Sequence, residues 1–422
     1  MVEADASAAA VALAAGCLAS LAVATATPEA KESRWWKGNT HTHTLWSDGD
    51  ALPDVVTAWY KRRGYHFLSL TDHNVLQQGD TWFPVSERAS SRLRPEQVTA
   101  ATEDLEASFE ERTLGDTRDL RLSRLAELQE RFGEAGRFLM LPGEEVTSSW
   151  RSPGKDGRGH PIHVNALGLT RPLPPASGES VVDVLNKVLA TIAEHGNEEG
   201  LSTVAHLNHP NFGWGVTWED MAAMRRGRFF EVYNGHRSTN DLGAEDRPGC
   251  ERMWDLANVR RALDPALPLL YGVATDDAHH YSGNPVAAPG RAWIQVRAEA
   301  LETQSLLRAM NAGDFYGSTG VVLEDVAVDR GDGVGTLTIT AAPREGEQLT
   351  IEFWGARKNA DGGPIQPELL GSGPGPELNY TWTPGHLFVR ARVLSNLPHP
   401  DPGSPGEVQA AWTQPVRPSD AE

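Results

Sequence analysis

The chain has 422 residues, 40% of them hydrophobic, and a formal net charge of -19 at pH 7. That composition suits a globular protein rather than a polytopic membrane protein, and the length leaves room for a large catalytic domain and a small second one. The acidic balance disfavours broad binding to extended nucleic acid, while a short nucleotide or single phosphodiester stays possible where bound cations offset the charge.

The N-terminal stretch Ala6 to Thr27 is uncharged and Ala-rich, with Leu13, Leu18 and Leu21 as its larger apolar residues. It resembles the apolar region of a secretory signal, and Ala24-Thr25-Ala26 offers a small-residue cleavage site. Ala14-Ala15-Gly16-Cys17 is a loose lipobox look-alike that lacks the usual first Leu. Glu3 and Asp5 stand where a signal normally carries Lys or Arg. Export to the periplasm, the medium or a lipid anchor is the expectation; a poorly ordered Ala-rich tail is the alternative. Residues up to about Glu32 are then leader and linker. Cys17 and Cys250 are the only cysteines, which rules out a disulfide framework and Cys-rich zinc sites.

Next comes His41-Thr42-His43, with Asp48 a short turn further on. Alternate residues of a strand face the same way, so both imidazoles converge on one point. Mixed His and carboxylate ligands suit Zn, Mn or Fe. Pro53 to Arg63 reads as a helix, and Phe67 to Leu70 as a buried strand ending in Thr71-Asp72-His73-Asn74. Thr81 to Gly136 is a charged excursion; within it Arg121 to Phe132 reads as an amphipathic helix that lids the site or pads its flank. The strand Phe138 to Leu141 runs into Pro142-Gly143-Glu144-Glu145. Then follow Ile162-His163-Val164, Ala205-His206-Leu207-Asn208-His209-Pro210, and Tyr271 to Thr275 leading to Asp276-Asp277-Ala278-His279. Each time a short apolar strand ends in polar residues, and in parallel barrels and doubly wound sheets that end carries the chemistry. A lone strand histidine is usually a packed, hydrogen-bonded residue; the recurrence is what points to a metal centre. His66, His195, His386 and His399 fit no such pattern and are expected to pack or face solvent.

The ordered series His41-His43-Asp48, Asp72-His73, Gly143-Glu145, His163, His209-Pro210 and Asp277-His279 resembles the PHP ("polymerase and histidinol phosphatase") metallohydrolases, over roughly Lys37 to Gly320. Trp46-Ser47-Asp48-Gly49, Val232-Tyr233-Asn234-Gly235 and Phe315 to Gly320 look like the branch that includes carbaryl hydrolase-like phosphoesterases. The resemblance implies an α/β fold, a distorted (β/α)7 barrel, with two or three divalent metals at its mouth. His41, His43, Glu145 and Asp277 would hold the first, and Glu145 would bridge to a second bound by His163 and His209. Asp48, His73 and His279 would hold a third. Glu144, His206 and His280 compete with Glu145, His209 and His279, and the family spacing favours the latter three. Asp72 and His206 are expected behind the ligands, holding ring orientations or neighbouring groups.

Such a centre implies hydrolysis of a small phosphate ester by hydroxide held between metals. A carbamate, amide or ester hydrolase and a non-catalytic binding protein are the alternatives. No serine nucleophile elbow is present; Gly317-Ser318-Thr319-Gly320 reads as a turn. His236 and Arg237 are candidates for proton transfer or phosphate contact, beside Glu145 as the bridging catalytic carboxylate. The basic loop Arg151 to His160, with Arg158, precedes His163 and could draw in an anion or be a solvated hairpin. Trp46, Trp150 and Trp214 could wall a pocket for an aromatic leaving group or simply pack. The metallohydrolase domain is placed at residues 35–320. Beyond Val321 the pattern alternates in Leu337-Thr338-Ile339-Thr340, Leu349 to Trp354 and Leu387 to Val393. This suggests a small immunoglobulin-like β-sandwich over 321–422, with a possible glycan or cell-surface contact.

Overall fold

The structure, a computed structural model, describes residues 33–153, 157–331, 333–359 and 362–418. The signal-like leader, with Cys17, and Lys155 of the basic loop lie outside the described residues. From Ser33 onward the chain forms one compact unit of mixed α/β structure.

Two sheets position the ligand-bearing segments. A nine-stranded sheet runs through Glu368–Pro374, Leu349–Arg357, His386–Pro398, Val408–Thr413, Phe315–Ser318, Trp293–Ala298, Arg34–Asn39, Phe67–Leu68 and Leu139–Met140. A five-stranded sheet runs through Tyr271–Thr275, Phe229–Asn234, Val204–Leu207, Gly159–Leu167 and Gly143–Arg151. They pack through Trp36, Phe67, Leu167, Phe229, Val273 and Ile294, all nearly or fully buried. Their polar ends are stitched by two isolated bridges, Thr42 with Ala278 and His73 with Glu145.

The expected distorted (β/α)7 barrel does not appear as a closed ladder: among the described residues the strands make separate sheets. Two features account for this. Gly143–Arg151 and Gly159–Leu167 pair antiparallel as a hairpin, and the latter is again antiparallel to Val204–Leu207. Phe67–Leu68 and Leu139–Met140 stay in the ladder for only two residues each. The parallel pairs of Arg34–Asn39 with Phe67–Leu68, and of Phe229–Asn234 with Tyr271–Thr275, remain.

Helices cover the outer faces. Val181–Glu199 starts at Ser180, whose hydroxyl accepts from Asp183 N, and ends at Gly200 in the left-handed region (φ 65°). Its Val184, Leu185, Val188 and Ile192 form one apolar stripe against the five-stranded sheet. The helix expected from Pro53 spans Pro53–Arg62. The one expected over Arg121 to Phe132 begins only at Leu125, because Thr117–Arg121 is a strand of a three-stranded sheet with Trp82–Val85 and Glu111–Leu114. Leu125 and Leu128 pack with Val56, Tyr60 and Met140, so this helix pads the flank. The excursion also braces the Asp48 turn: the Arg92 guanidinium donates to Ser47 O (2.5 Å) and Gly49 O (3.1 Å).

In the C-terminal region Leu323–Arg330, Gly335–Ala341 and Glu377–Trp382 form a separate three-stranded sheet. It packs on Leu349–Arg357 and His386–Pro398 through Leu337, Ile339, Ile351, Phe353 and Val393. Val408–Thr413 pairs with both His386–Pro398 and Phe315–Ser318, so these strands extend the sheet that contains Arg34–Asn39. No helix among the described residues is long and apolar enough to cross a membrane.

Candidate metal centre

His41 and His43 follow the strand Arg34–Asn39, His73 follows Phe67–Leu68, His209 follows Val204–Leu207, and Asp277 and His279 follow Tyr271–Thr275. Glu145 and His163 come from the two arms of the antiparallel hairpin. Gly49 lets the Asp48 turn close: a Cβ there would stand 2.7 Å from the His43 carbonyl. Asp277 (φ 48°) and His209 (φ 25°) sit in the left-handed region, a strained backbone for both residue types that bends them inward.

These side chains meet at one place. His41 Nε2 and His43 Nε2 are 3.2 Å apart, and each is 3.2 Å from Asp277 Oδ1. Glu145 is 3.6 Å from His41 Nε2 through Oε1 and 3.4 Å from His43 Nε2 through Oε2. Its Oε1 also lies 3.0 Å from His163 Nδ1 and 3.5 Å from His209 Nε2. Asp48 lies 3.4 Å from each of His43, His73 and His279.

The residues fit divalent cations. On a tetrahedron with metal–ligand bonds of about 2.1 Å, ligand atoms stand about 3.4 Å apart, close to the spacings here. Four groups of donors are mutually close enough to share an ion: His43, Asp48, His73 and His279; His41, His43 and Glu145; His41, His209 and Asp277; His73, Glu145 and His163. Glu145 Oε2 and His163 Nδ1 are buried without an aligned hydrogen-bond partner, although each has the opposite ligand type nearby. Near but unbonded is how ligands of a shared ion stand; without a cation, such buried groups are costly.

The electrostatics follow. Burial works against ionisation of Glu145 and Asp277, but the surrounding imidazoles hold both well below the carboxylate range. Burial opposes charge on His41 too, yet Asp277, Glu231 and Glu145 hold it well above its ordinary value. His43 is pushed down to about 4 by burial and by His279 beside it.

A further carboxylate escaped the sequence reading. Glu231, inside the apolar strand Phe229–Asn234, accepts from His41 Nδ1 at 2.6 Å, which leaves Nε2 for a metal. It also accepts from His209 N, Thr275 Oγ1 and Asn234 Nδ2, each at 2.7 Å. The available signal was a lone acid in a buried strand. Asn208, also missed, donates to Glu145 Oε1 at 2.7 Å.

Of the other candidates, Asp72 accepts from Thr44 N, Thr44 Oγ1, Ser47 Oγ and Gln77 Nε2, and so pins the turn that carries Asp48. His206 is fully buried behind His41, 3.9 Å from Glu231. Glu144 points the other way and accepts from Leu173 N.

The donors open onto a cleft of ≈ 330 Å³, also lined by Phe212, His236, Thr239 and His280. His236 Nδ1 is engaged by Ser238, 2.8 Å from its Oγ. Arg237 does not line the cleft: its guanidinium pairs with Asp401 at 2.6 Å. Arg158 donates instead to Gly213 O at 2.8 Å, so neither arginine is placed as a phosphate contact. The three tryptophans are also elsewhere. Trp46 Nε1 donates to Ser123 O, Trp150 packs against His160, and Arg247 covers Trp214. His66, His195 and His399 accept from the backbone amides of Lys37, Thr170 and Asp401.

No protein-family model matches the chain, nor does any curated protein. Among solved structures it is similar to a Bacteroides vulgatus two-domain protein containing a predicted PHP-like metal-dependent phosphoesterase. That likeness has 16% identity and a TM-score of 0.36, over 90% of this chain and 95% of the other. A putative metal-dependent phosphoesterase from Bifidobacterium adolescentis shares 12% identity over 61% of this chain and 92% of its own (TM-score 0.31). An amidohydrolase from Chromobacterium violaceum, with bound sulfate and no metal, shares 15% over 60% and 93% (TM-score 0.30). At these scores the likenesses carry no argument about this chain, whose chemistry is read from the side chains above.

Proposed function

We propose that the chain is a metal-dependent hydrolase of small phosphate esters. The observation that supports it is the convergence of His41, His43, Asp48, His73, Glu145, His163, His209, Asp277 and His279 at spacings suited to shared divalent ions. In this reading His41, His43, Glu145 and Asp277 hold one ion, Glu145 joins His163 and His209 on a second, and Asp48, His73 and His279 hold a third. Zn, Mn and Fe all suit this donor set. When bound, such ions supply Lewis acidity toward an ester oxygen and make a water acidic enough to ionise near neutral pH.

The chain's own residues do the rest. Glu231 fixes the His41 ring. With Nδ1 held at Ser238, His236 keeps Nε2 for the cleft, where it can pass a proton to the departing oxygen. Phe212 supplies an apolar wall. The cleft volume suits a small molecule rather than a polymer. PHP membership, in the carbaryl hydrolase-like branch, belongs to this reading and is supported by the ordered motifs; export rests on the sequence of Ala6 to Thr27 alone.

A carbamate, amide or carboxylic ester hydrolase is the second reading. One observation favours it: among the described residues lining the cleft none is Lys or Arg, so a phosphate would depend on the cations for its grip. The test is p-nitrophenol release from a phosphodiester, a phosphomonoester and an N-methyl carbamate, on manganese-loaded protein with a chelated control. Chelator-sensitive release from either phosphate supports the proposal, release from the carbamate alone replaces it with the second reading, and silence with metal bound points to a narrow natural substrate or a binding role. Glu145→Gln should abolish both turnover and tight metal binding; retention of both sinks the assignment.

A further inference from the structure

Two segments of the cleft rim are tied together from behind by one arginine. Arg291 is fully buried. Its Nη1 donates to the carbonyl of Gly235, the residue before His236, and to Val286 O at 3.1 Å. Its Nη2 donates to Pro285 O. Gly235 allows this close approach: a Cβ there would stand 2.7 Å from Asp276 O and 3.1 Å from Arg291 Cβ. The two segments also meet directly, since Arg237 N donates to Val286 O at 3.0 Å. One residue on, Ala287 O accepts from His279 N (2.9 Å) and His280 N (3.0 Å). His236 on one rim and His279 and His280 on the other are therefore all held within a residue or two of an Arg291 contact.

The charge of this arginine is balanced from far along the chain. Asp401 lies in the connection between strands His386–Pro398 and Val408–Thr413. Its Oδ2 accepts from Arg291 Nε at 2.9 Å and stands 2.8 Å from Nη2, while its Oδ1 accepts from Arg237 Nη2 at 2.6 Å. Among the described residues it is the one carboxylate paired with either guanidinium. The connection is built to present it. His399 donates from Nε2 to Arg291 O at 2.8 Å, and its Nδ1 accepts from Asp401 N at 3.1 Å. The His399 ring stacks on Tyr233, with centroids 6.2 Å apart. Glu407 closes the loop by accepting from Gly403 N (2.7 Å) and Ser404 N (3.1 Å).

We infer that Asp401 is a positioning residue for the metal cleft: through Arg291 and Arg237 it sets where His236 stands. A buried guanidinium that loses its carboxylate is left uncompensated. Here the groups that must rearrange around it are the carbonyls that fix both rims. A shift of about 1 Å in a reacting group can cost on the order of a hundredfold in rate. The C-terminal strands then belong to the catalytic unit and are not an appended module. In its effect on turnover the inference rests on the proposed hydrolysis, with His236 protonating the departing oxygen.

The experiment compares Asp401→Asn with the parent chain. The Asp401 side chain is 40% exposed and the carboxamide keeps its shape, so the variant should fold, with parental zinc content as the check. Asp325→Asn, which takes a carboxylate from Arg297 elsewhere in the C-terminal region, is the control. The first readout needs no turnover: the His236 ring cross-peak in the NMR spectrum of zinc-loaded, histidine-labelled protein, assigned by its loss in His236→Gln. Asp401→Asn should move or broaden it and Asp325→Asn should not. The second is the turnover ratio between a p-nitrophenyl ester and its methyl counterpart, on manganese-loaded protein. A displaced proton donor hurts the poorer leaving group more, so Asp401→Asn should raise the ratio about tenfold, as His236→Gln does. An unmoved cross-peak, an equal effect of Asp325→Asn, or a ratio that only His236→Gln raises overturns the inference. A moved cross-peak in a chain that hydrolyses none of the esters supports the positioning and counts against the hydrolytic reading instead. A moved cross-peak with a ratio that even His236→Gln leaves alone supports it too, and removes only the proton-transfer role.

Discussion

Glu231 touches no candidate ion, yet four groups depend on it: the His41 ring, the His209 amide, Thr275 and Asn234. Glu231→Gln keeps the shape and removes the charge that holds His41 Nδ1–H. Metal affinity or turnover should fall about 10–100-fold, the usual effect of losing such a partner; titration with a competing chelator checks it. Asp241, which is not among the candidate ligands, gives a pH signature. Burial pushes its carboxyl up from 3.8 to about 7, although Asn234 N donates to it at 2.6 Å. The folded state thus prefers the protonated acid. Its stabilising contribution is complete below about pH 4, where both states are protonated, and is lost as pH rises to about 7. Asp241→Asn should flatten that part of the stability–pH curve, which urea denaturation across pH 4–8 would read. Most of the candidate ligands were legible because they stand at or beside a short apolar run, and His41, His43 and Asp48 by their mutual spacing, both local patterns. Glu231 and Asn208 were not, because a residue that acts through another needs only a place in the strand and no motif.

Among the elements, short strands with strong apolar patterns were readable: Tyr271–Thr275 appears as expected, and Gly335–Ala341 alternates buried and half-buried residues along its length. The helix expected at Arg121 lost its first turn to a strand that closes a tight hairpin with Glu111–Leu114 and pairs on its other side with the more distant Trp82–Val85. The hairpin of Gly143–Arg151 with Gly159–Leu167 was legible only at its turn, where the basic loop Arg151 to His160 allowed a solvated hairpin; the direction of the long arms left no local mark. Elements are also tied by charge. Arg390 of strand His386–Pro398 and Asp255 of helix Cys250–Ala262 form a bidentate pair at 2.7 and 2.8 Å, with both residues buried. Asp255→Ala would leave the buried guanidinium with only Glu251, at 3.6 Å, and should cost up to about 3–5 kcal/mol. Arg390→Met with Asp255→Leu should recover most of it; chemical denaturation of the three chains would show whether the pair or the bare charge matters.

For the whole molecule, the centre is a store of negative charge and lone pairs that only cations relieve. Removal of metal should lower the melting temperature by several degrees, with recovery on adding manganese or zinc, since a ligand of the native state alone stabilises it by mass action. Glu145→Gln should blunt that response, and scanning calorimetry would measure both. What the sequence could not reveal at this scale was the joining of its two halves. Pairing between residues so distant along the chain has no local trace. Val408–Thr413 lies between His386–Pro398 and Phe315–Ser318, in the same sheet that carries His41 and His43 at its far side. That arrangement has a consequence in time. On the ribosome the imidazoles emerge first and the strand that completes their sheet emerges late, so Phe315–Ser318 waits with an open edge. The sheet that carries His41 and His43 is thus completed only after His279, the last of the candidate ligands, has been made.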